Sequence, residues 1–264
     1  MHKFKEKIAK IIKKIALKNI NKITSNKKTE IIDLLIKNHV NNSPPVQSLK
    51  FLFELHNSIY SLLGKESIRY GNGVHTKHRH IKYHDFFINN IVPGETVLDI
   101  GCGYGSLAYD IVKNNGDNKI IGIDISKENI DKAIKMFKHP NIEYIHADAL
   151  KWQTSKKMDV VILSNILEHI ENRVEFLKKL RIQYNPKKFL IRVPVFERDW
   201  TVPLKKELGL DYMLDKTHYI EYSGNEFFEE IDKAGLKSET YQIKWGEIWA
   251  VVKSLSKNNN GSTN

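Results

Sequence analysis

The sequence predicts an α/β fold, in which a seven-stranded and mostly parallel sheet has helices on both faces and follows a helical extension. From about Tyr83 onward, short apolar runs alternate with segments of helical periodicity, which is the pattern of a parallel sheet. A glycine-rich turn directly follows the first of these runs, where a strand would lead into a helix. Only a short turn at residues 244–246 separates the last two runs, which predicts a β-hairpin at the end of the sheet.

The predicted elements alternate regularly along the second part of the chain. Strands are expected at residues 96–100, 119–124, 142–146, 158–163, 188–193, 237–243 and 247–253. Helices are expected at residues 104–115, 127–138, 171–184 and 224–235. We therefore predict one domain over residues 69–254, followed by a polar, Asn-rich tail over residues 255–264 that is expected to be disordered.

Residues 1–68 are predicted to form a helical, basic extension. From Phe4 to Ile20, isoleucines recur at helical spacing with lysines between them, which describes a basic amphipathic helix. Such a helix either packs on its own domain or a partner, or makes a peripheral membrane contact through residues 1–24. A second apolar cluster ends before residues 41–45, where two prolines break the helix, and a further helix is expected over residues 48–63 with Gly64 as its stop.

The charge of the chain is strongly uneven. The formal net charge is +11, and residues 1–30 carry +8 of it, since ten lysines there face two glutamates. The remaining residues are nearly balanced and therefore offer no obvious surface for nucleic acid. No apolar run reaches the ~18 residues that a transmembrane helix needs. The single cysteine, Cys102, fits a reducing compartment, so a cytoplasmic protein is expected, with contact at the inner membrane surface as the alternative.

The glycine-rich turn at residues 97–105 carries the strongest functional signal. It places Gly101, Gly103 and Gly105 where the backbone turns sharply and approaches a ligand. Dinucleotide-binding proteins use a similar turn to hold a pyrophosphate. Here Asp99 precedes the glycines, and a carboxylate at that place would repel a pyrophosphate but attract an ammonium or sulfonium group. The electrostatics favour S-adenosylmethionine.

Three further segments follow strands at distances that suit the same ligand. Asp124 ends the second strand, where its carboxylate can accept hydrogen bonds from both ribose hydroxyls. After the third strand, Asp148 can accept from the adenine amino group while the amide of Ala149 donates to the ring. Asn165 lies at the exit of the fourth strand, beside the first. Carboxylates often only cap helices, but four such segments in this order favour one binding site.

This arrangement resembles the class I S-adenosylmethionine-dependent methyltransferases over about residues 85–253, in particular the subgroup whose fourth strand ends in Asn-x-Leu-Glu-His. The resemblance implies a Rossmann-like seven-stranded sheet with a terminal β-hairpin and S-adenosyl-L-methionine as the cofactor. It also implies the residues that line the cofactor: Asp99, Gly101, Gly103, Tyr104, Gly105, Asp124, Ile125, Asp148, Ala149 and Asn165.

Two segments are candidates for binding the methyl acceptor. Residues 71–87 would form a lid in which Lys77, Arg79 and His84 meet an anionic substrate. The histidines of this segment have no cysteine and no helical H-x-x-x-H pair with an acid beside them, so no metal site is predicted. Residues 194–223 are too long for an ordinary loop, and their aromatic residues and carboxylates suit a saccharide or form a folded cover. The candidate residues there are Asp199, Trp200 and Tyr222.

A hydroxyl acceptor needs a base, and His169 and His218 are the best candidates because imidazole titrates near neutral pH. Glu168 is the reserve, and each histidine could instead be structural. Segments 77–87 and 198–222 look like those of methyltransferases of bacterial surface-polysaccharide synthesis, which implies O-methylation of a sugar. Two alternatives stay open: methylation of a lipid or quinone precursor at the membrane, and a non-catalytic cofactor-binding partner subunit. The sequence leaves the oligomeric state open.

Overall fold

A computed structural model describes residues 22–255, which divide into two compact units, residues 22–66 and residues 67–255. The division falls two residues before the predicted domain boundary. The predicted basic helix and the membrane contact of residues 1–24 lie almost entirely outside the described residues, and so does nearly all of the predicted C-terminal tail. Among residues 22–255, no helix combines the length and the apolar character needed to cross a bilayer.

The first unit contains helix α1, Ser25–Asn41, and most of helix α2, Pro45–Tyr70. Thr24 caps α1, because its side chain accepts a hydrogen bond from the amide of Lys27. The predicted break at residues 41–45 is confirmed, and Pro45 occupies the first turn of α2, where its missing N–H costs no hydrogen bond. Within the described residues, α1 has no buried residue.

The predicted stop at Gly64 is wrong, since α2 continues to Tyr70. A glycine ends a helix when it adopts a positive φ, and Gly64 does not. The helix ends instead at a Gly-Asn-Gly turn, in which Asn72 and Gly73 have φ values of 51° and 94°. The amide of Gly73 there donates back to the carbonyl of Ile68.

The second unit is built on one seven-stranded sheet with the order β3-β2-β1-β4-β5-β7-β6. All strands are parallel except β7, which runs antiparallel between β5 and β6. The strands are β1 Thr96–Ile100, β2 Lys119–Asp124, β3 Ile142–His146, β4 Val160–Ser164, β5 Lys188–Pro194, β6 Leu236–Lys244 and β7 Glu247–Ser254. All seven predicted strands and the terminal hairpin are therefore confirmed, with bounds that differ by two residues at most.

Helices cover both faces of the sheet and enclose a core on each. They are α3 Thr76–Ile81, α4 Tyr83–Asn89, α5 Ser106–Asn115, α6 Lys127–Met136, α7 Arg173–Tyr184, α8 Thr201–Glu207 and α9 Gly224–Lys233. On β1, Val97 packs into one core with Phe87 and Ile111, and Leu98 packs into the other with Leu177 and Phe227. This alternation is the two-residue period of a strand that is buried on both faces.

The chain order of the strands reverses between β1 and β4. Helix α5 connects β1 to β2 on one side of this point, whereas β4 leads to β5 on the other. In open α/β sheets the crevice at such a switch point, at the carboxyl ends of the strands, is where ligands bind. The glycine-rich turn after β1 and the residues after β4 meet there.

Candidate active site

The glycine-rich turn has a backbone that other residues could not adopt without strain. Gly101 has a φ of 71°, and a Cβ atom there would clash with the side chain of Ile166. Gly103 has a φ of 56°, and a Cβ atom there would project into open space. The amides of Gly101 and Cys102 both donate to the carbonyl of Ile123, which fixes the turn to β2. The turn thus leaves room for a ligand beside Gly103.

Asp99 is buried in the strand that leads into this turn. Its side chain is 1% exposed, and its Oδ2 atom has no hydrogen-bond partner among the described residues. Burial, together with the negative charge of Asp124, raises the pKa of the Asp99 carboxyl to about 7. A buried carboxylate without a partner is costly, so this group is suited to a cationic ligand.

Asp124 lies at the end of β2 and is held by the two neighbouring turns. Its Oδ2 accepts from the amide of Gly103 at 2.9 Å, and its Oδ1 accepts from the amide of Ser126 at 2.8 Å. The next residue, Ile125, is 73% exposed, and Tyr104 is also exposed. A fixed acidic group flanked by exposed side chains can present oxygens to a ligand that lies across the strand ends.

The other two predicted cofactor segments follow β3 and β4. Asp148 accepts from the amide of Leu150 through Oδ1, and its Oδ2 lies 3.5 Å from the ammonium of Lys151. Asn165 has a positive φ of 56°, and its side chain donates to Glu168 Oε1 at 3.0 Å. Asn165 therefore positions Glu168 in this structure, and its role toward a cofactor stays a prediction.

Glu168, His169 and His218 lie together, although 49 residues separate the two histidines along the chain. The rings of His169 and His218 meet edge to face, with 4.6 Å between their centroids. Glu168 is fully buried, its Oε2 has no hydrogen-bond partner among residues 22–255, and burial raises the pKa of its carboxyl to about 7. Burial and the neighbouring His218 lower the pKa of His169. All three predicted base candidates thus belong to one cluster.

The segment of residues 194–223 folds against this cluster and positions it. The amide of Tyr219 donates to the backbone carbonyl of Glu168 at 2.8 Å. The His218 ring contacts the carboxylate of Glu221 at 2.9 Å, and Glu221 is buried against the guanidinium of Arg198. The sequence left open whether this segment reaches the site, and the structure shows that it does.

The three predicted substrate-binding residues of this segment differ in burial and in their contacts. Tyr222 is fully buried, and its hydroxyl donates to Glu230 at 2.7 Å, so the predicted substrate contact of this side chain is wrong. Its aromatic ring packs in the hydrophobic core instead. Asp199 accepts from the amide and the hydroxyl of Thr201 and thereby supports the start of α8. Trp200 is 72% exposed and therefore does not pack into a core.

The predicted lid, residues 71–87, forms the two short helices α3 and α4. Lys77 forms an ion pair with Glu247 at 3.0 Å, Arg79 lies over the ring of Tyr70, and His84 contacts Asp110 at 2.6 Å. The three side chains thus already have protein partners. Their predicted role toward an anionic substrate stays a prediction.

A buried ion pair at the end of β5 was not predicted from the sequence. The guanidinium of Arg192 contacts Glu247 at 2.9 Å and lies over the ring of Tyr83, 4.2 Å from its centroid. Arg192 and Glu247 are 9% and 4% exposed. The sequence did contain one signal for this ion pair, an arginine inside the apolar run of residues 188–194. A charged side chain in a buried strand requires a partner of opposite charge. Nothing local marked Glu247 as that partner.

A cavity of about 370 Å³ opens in the segment of residues 194–223 and α9. Lys206 lies over the rings of Phe196 and Tyr212, at 5.2 and 5.7 Å from their centroids. The volume falls within the range of small-molecule pockets. Its lining combines aromatic rings with charged groups: Phe196, Glu197, Lys206, Tyr212, Tyr219, Ile220, Glu221, Ser223 and Glu226.

The second unit is similar to known methyltransferases in sequence and in fold. Residues 97–187 match the family model described as "Methyltransferase domain". The magnesium protoporphyrin IX methyltransferase of Synechocystis PCC 6803, solved with bound SAH, superimposes with a TM-score of 0.52 and 18% identity over 66% of this chain and 84% of that one. The chain therefore has the fold of the class I methyltransferases. Residues 97–187 are thus similar in sequence to methyltransferase domains.

Two curated relatives show how far the similarity extends. A probable (S)-tetrahydroprotoberberine N-methyltransferase of Papaver bracteatum is 32% identical over 93 residues, which cover 34% of this chain and 26% of that protein. A ubiquinone biosynthesis O-methyltransferase of Rickettsia bellii is 29% identical over 153 residues, covering 54% and 62%. The chain thus spans less than two thirds of either relative.

Proposed function

We propose that this protein transfers the methyl group of S-adenosylmethionine to a hydroxyl group of a small molecule. The buried carboxylate of Asp99 carries the proposal, because its unpartnered Oδ2 lies in the strand that leads into a glycine turn with open space at Gly103. These residues fit a ligand that bears an ammonium group. A nucleotide pyrophosphate in the same place would be repelled by Asp99.

Other strand ends would hold the rest of the cofactor. Asp124 would accept hydrogen bonds from the ribose hydroxyls, and Asp148 with Ala149 would contact the adenine. Tyr104 and Ile125 are exposed beside Asp124 and would cover the ligand. The bound cofactor supplies an electrophilic methyl group, so the protein must align the acceptor and remove its proton. We assign that task to Glu168 and His169, which follow β4, and to His218, which joins them from the segment of residues 194–223.

A saccharide acceptor in surface-polysaccharide synthesis is supported by the cavity beside α9. Aromatic rings and carboxylates, as found there, stack on and hydrogen-bond polyhydroxylated ligands. Lys206 adds a positive charge that suits the phosphate of an activated sugar. Glu221 lines this cavity and also contacts His218, so it connects the cavity to the cluster of Glu168, His169 and His218.

A phenolic quinone precursor is the second candidate acceptor. It is favoured by the similarity to the ubiquinone biosynthesis O-methyltransferase, which covers more of this chain than the similarity to the N-methyltransferase does. Peripheral membrane contact through residues 1–24 would then bring the protein to its acceptor.

An assay with labelled S-adenosylmethionine separates these possibilities. We expect label to transfer to a member of a panel of nucleotide sugars, with dihydroxybenzenes as the phenolic arm. Transfer only to the phenolic arm would replace the saccharide assignment. Cofactor binding by calorimetry without transfer to either arm would instead favour a non-catalytic partner subunit.

Replacing Asp124 by Ala is expected to weaken S-adenosylmethionine binding by about 1–3 kcal/mol, because the ribose hydroxyls would lose their acceptor. Isothermal titration calorimetry measures the change. The matched control is Asp131→Ala, which removes an exposed carboxylate that pairs with Lys127 in α6. Equal affinities of Asp124→Ala and the parent protein would remove Asp124 from the site.

The affinity for S-adenosylmethionine is expected to fall as the pH drops below 7. Burial and the charge of Asp124 raise the pKa of Asp99 to about 7, so the unliganded protein holds a neutral Asp99 below that pH. Pairing with the ammonium requires the charged form, so each pH unit below 7 should cost about a factor of ten in affinity. Calorimetry at pH 8 and at pH 6 measures the two affinities. At neutral pH, calorimetry should also detect that a proton is released when S-adenosylmethionine binds. In Asp99→Asn the affinity should be low and independent of pH, and a pH dependence unchanged from the parent would exclude Asp99 as its source.

A further inference from the structure

The cluster at the end of β4 has the composition and the spacing of a metal site. Glu168, His169 and His218 each offer one possible ligand atom, and these atoms lie within 4.8 Å of one another. We infer that the three residues bind a divalent transition-metal cation. No metal site was predicted from the sequence, because the two histidines are far apart in the chain and the buried Glu168 has no local signature.

The hydrogen bonds around both rings leave the same nitrogen free. Thr217 Oγ1 donates to Asp215 Oδ1 at 2.7 Å, so toward His169 the hydroxyl accepts, and His169 Nδ1 carries the proton. His218 Nδ1 donates to the carboxylate of Glu221 at 2.9 Å. In each ring Nε2 is therefore the nitrogen with a lone pair. This tautomer is the one in which a histidine binds a metal through Nε2.

The supporting groups match those of known metal sites. Histidines that bind metals usually donate their other N–H to a carboxylate or another oxygen, which orients the ring and raises its basicity. Glu221 does this for His218, and it is itself fixed by the amide of Leu214 at 2.7 Å and by Arg198. Thr217 and Asp215 do the same for His169. Both rings are thus held before any ion binds.

Glu168 supplies an observation that is independent of the histidines. Its side chain is fully buried, Asn165 occupies Oε1, and Oε2 has no hydrogen-bond partner among the described residues. A buried oxygen without a partner is costly unless a ligand satisfies it. A cation bound by Glu168 together with the two imidazoles would satisfy it.

The ligand set indicates the kind of cation. Two imidazoles and one carboxylate suit Zn²⁺, Co²⁺, Mn²⁺ or Fe²⁺, whereas Ca²⁺ and Mg²⁺ prefer oxygen ligands alone. Three protein ligands leave coordination positions open, as in catalytic rather than structural sites. An acceptor oxygen could occupy one of them and would lose its proton more readily. Only this last step rests on the proposed function, because cation binding requires neither cofactor nor acceptor.

Co²⁺ is the probe for the test, since its visible absorption reports its coordination. We expect the full chain to bind one equivalent of Co²⁺ with an absorption typical of four or five ligands, in the absence of S-adenosylmethionine. Glu168→Gln, His169→Gln and His218→Gln should each weaken binding by at least about 100-fold. Thr217→Val, which removes the hydroxyl that accepts from His169 Nδ1 and donates to Asp215, should weaken it by about 10-fold.

The chain contains eleven histidines, so a control must exclude adventitious binding. His80 is exposed on α3, and His80→Gln should bind Co²⁺ as the parent does. Far-UV circular dichroism shows whether each variant is folded, and calorimetry with S-adenosylmethionine reports on the proposed function separately from the metal site. Binding of less than one equivalent, or equal affinities of His169→Gln, His218→Gln and the parent, would overturn the inference.

Discussion

Replacing His169 by Gln is expected to lower turnover by about 10²–10⁴, while the affinity for S-adenosylmethionine stays within a few-fold. His169 ends the short helical turn after β4, and Thr217 holds its Nδ1 so that the lone pair of Nε2 is free. The variant loses this lone pair, which acts on the acceptor either as a base or as a ligand of the inferred cation. The loss therefore appears in the chemical step. Single-turnover kinetics with the acceptor identified in the panel assay measures it.

His218→Gln is expected to behave in the same way, because its ring meets that of His169 and is fixed by Glu221. His80→Gln is the matched control and should turn over like the parent, since this side chain lies on the surface. Near-normal turnover of both His169→Gln and His218→Gln would place the activation of the acceptor elsewhere. Glu168 would then be the remaining candidate, or the acceptor would be an amine that needs no base.

Replacing Glu247 by Gln is expected to lower the free energy of unfolding by about 3–5 kcal/mol. Glu247 accepts from Arg192 at 2.9 and 3.3 Å and from Trp249 at 3.2 Å, and it pairs with Lys77. The variant would leave the Arg192 guanidinium buried without its counter-ion, and the desolvation cost of that charge would no longer be offset. Urea unfolding at neutral pH measures the change.

Two further variants make this expectation specific. Arg192→Met combined with Glu247→Met should recover most of the loss, because a buried ion pair is often replaced by apolar groups at little cost. Glu239→Gln breaks the exposed pair with Lys253 between β6 and β7 and should cost no more than about 1 kcal/mol. A loss for Glu247→Gln as small as that for Glu239→Gln would show that the buried pair does not stabilise the fold.

Secondary structure that depends on residues close together in the chain could be predicted from the sequence. The strands and the four long helices of the second unit were found within two residues, because apolar periodicity reports burial locally. Gly64 shows the limit of local rules, since glycine in a helix ends it only where the backbone turns to positive φ. The short helices α3, α4 and α8 escaped prediction because they are too short to show a period.

The sequence by itself determined the fold, the glycine-rich turn and the acidic residues at successive strand ends. These features share one cause: in a parallel sheet the carboxyl ends of the strands meet at one edge, so order along the chain is enough to group Asp99, Asp124 and Asp148. Only the tertiary structure decided which residues from distant parts of the chain lie beside these strand ends or pack in the core. It brought His218 onto Glu168 and His169, buried Tyr222 in the core, and paired Arg192 with Glu247 across 55 residues of chain. Such long-range pairs follow from the packing of a loop and a distant strand, and packing leaves no periodic trace in the sequence.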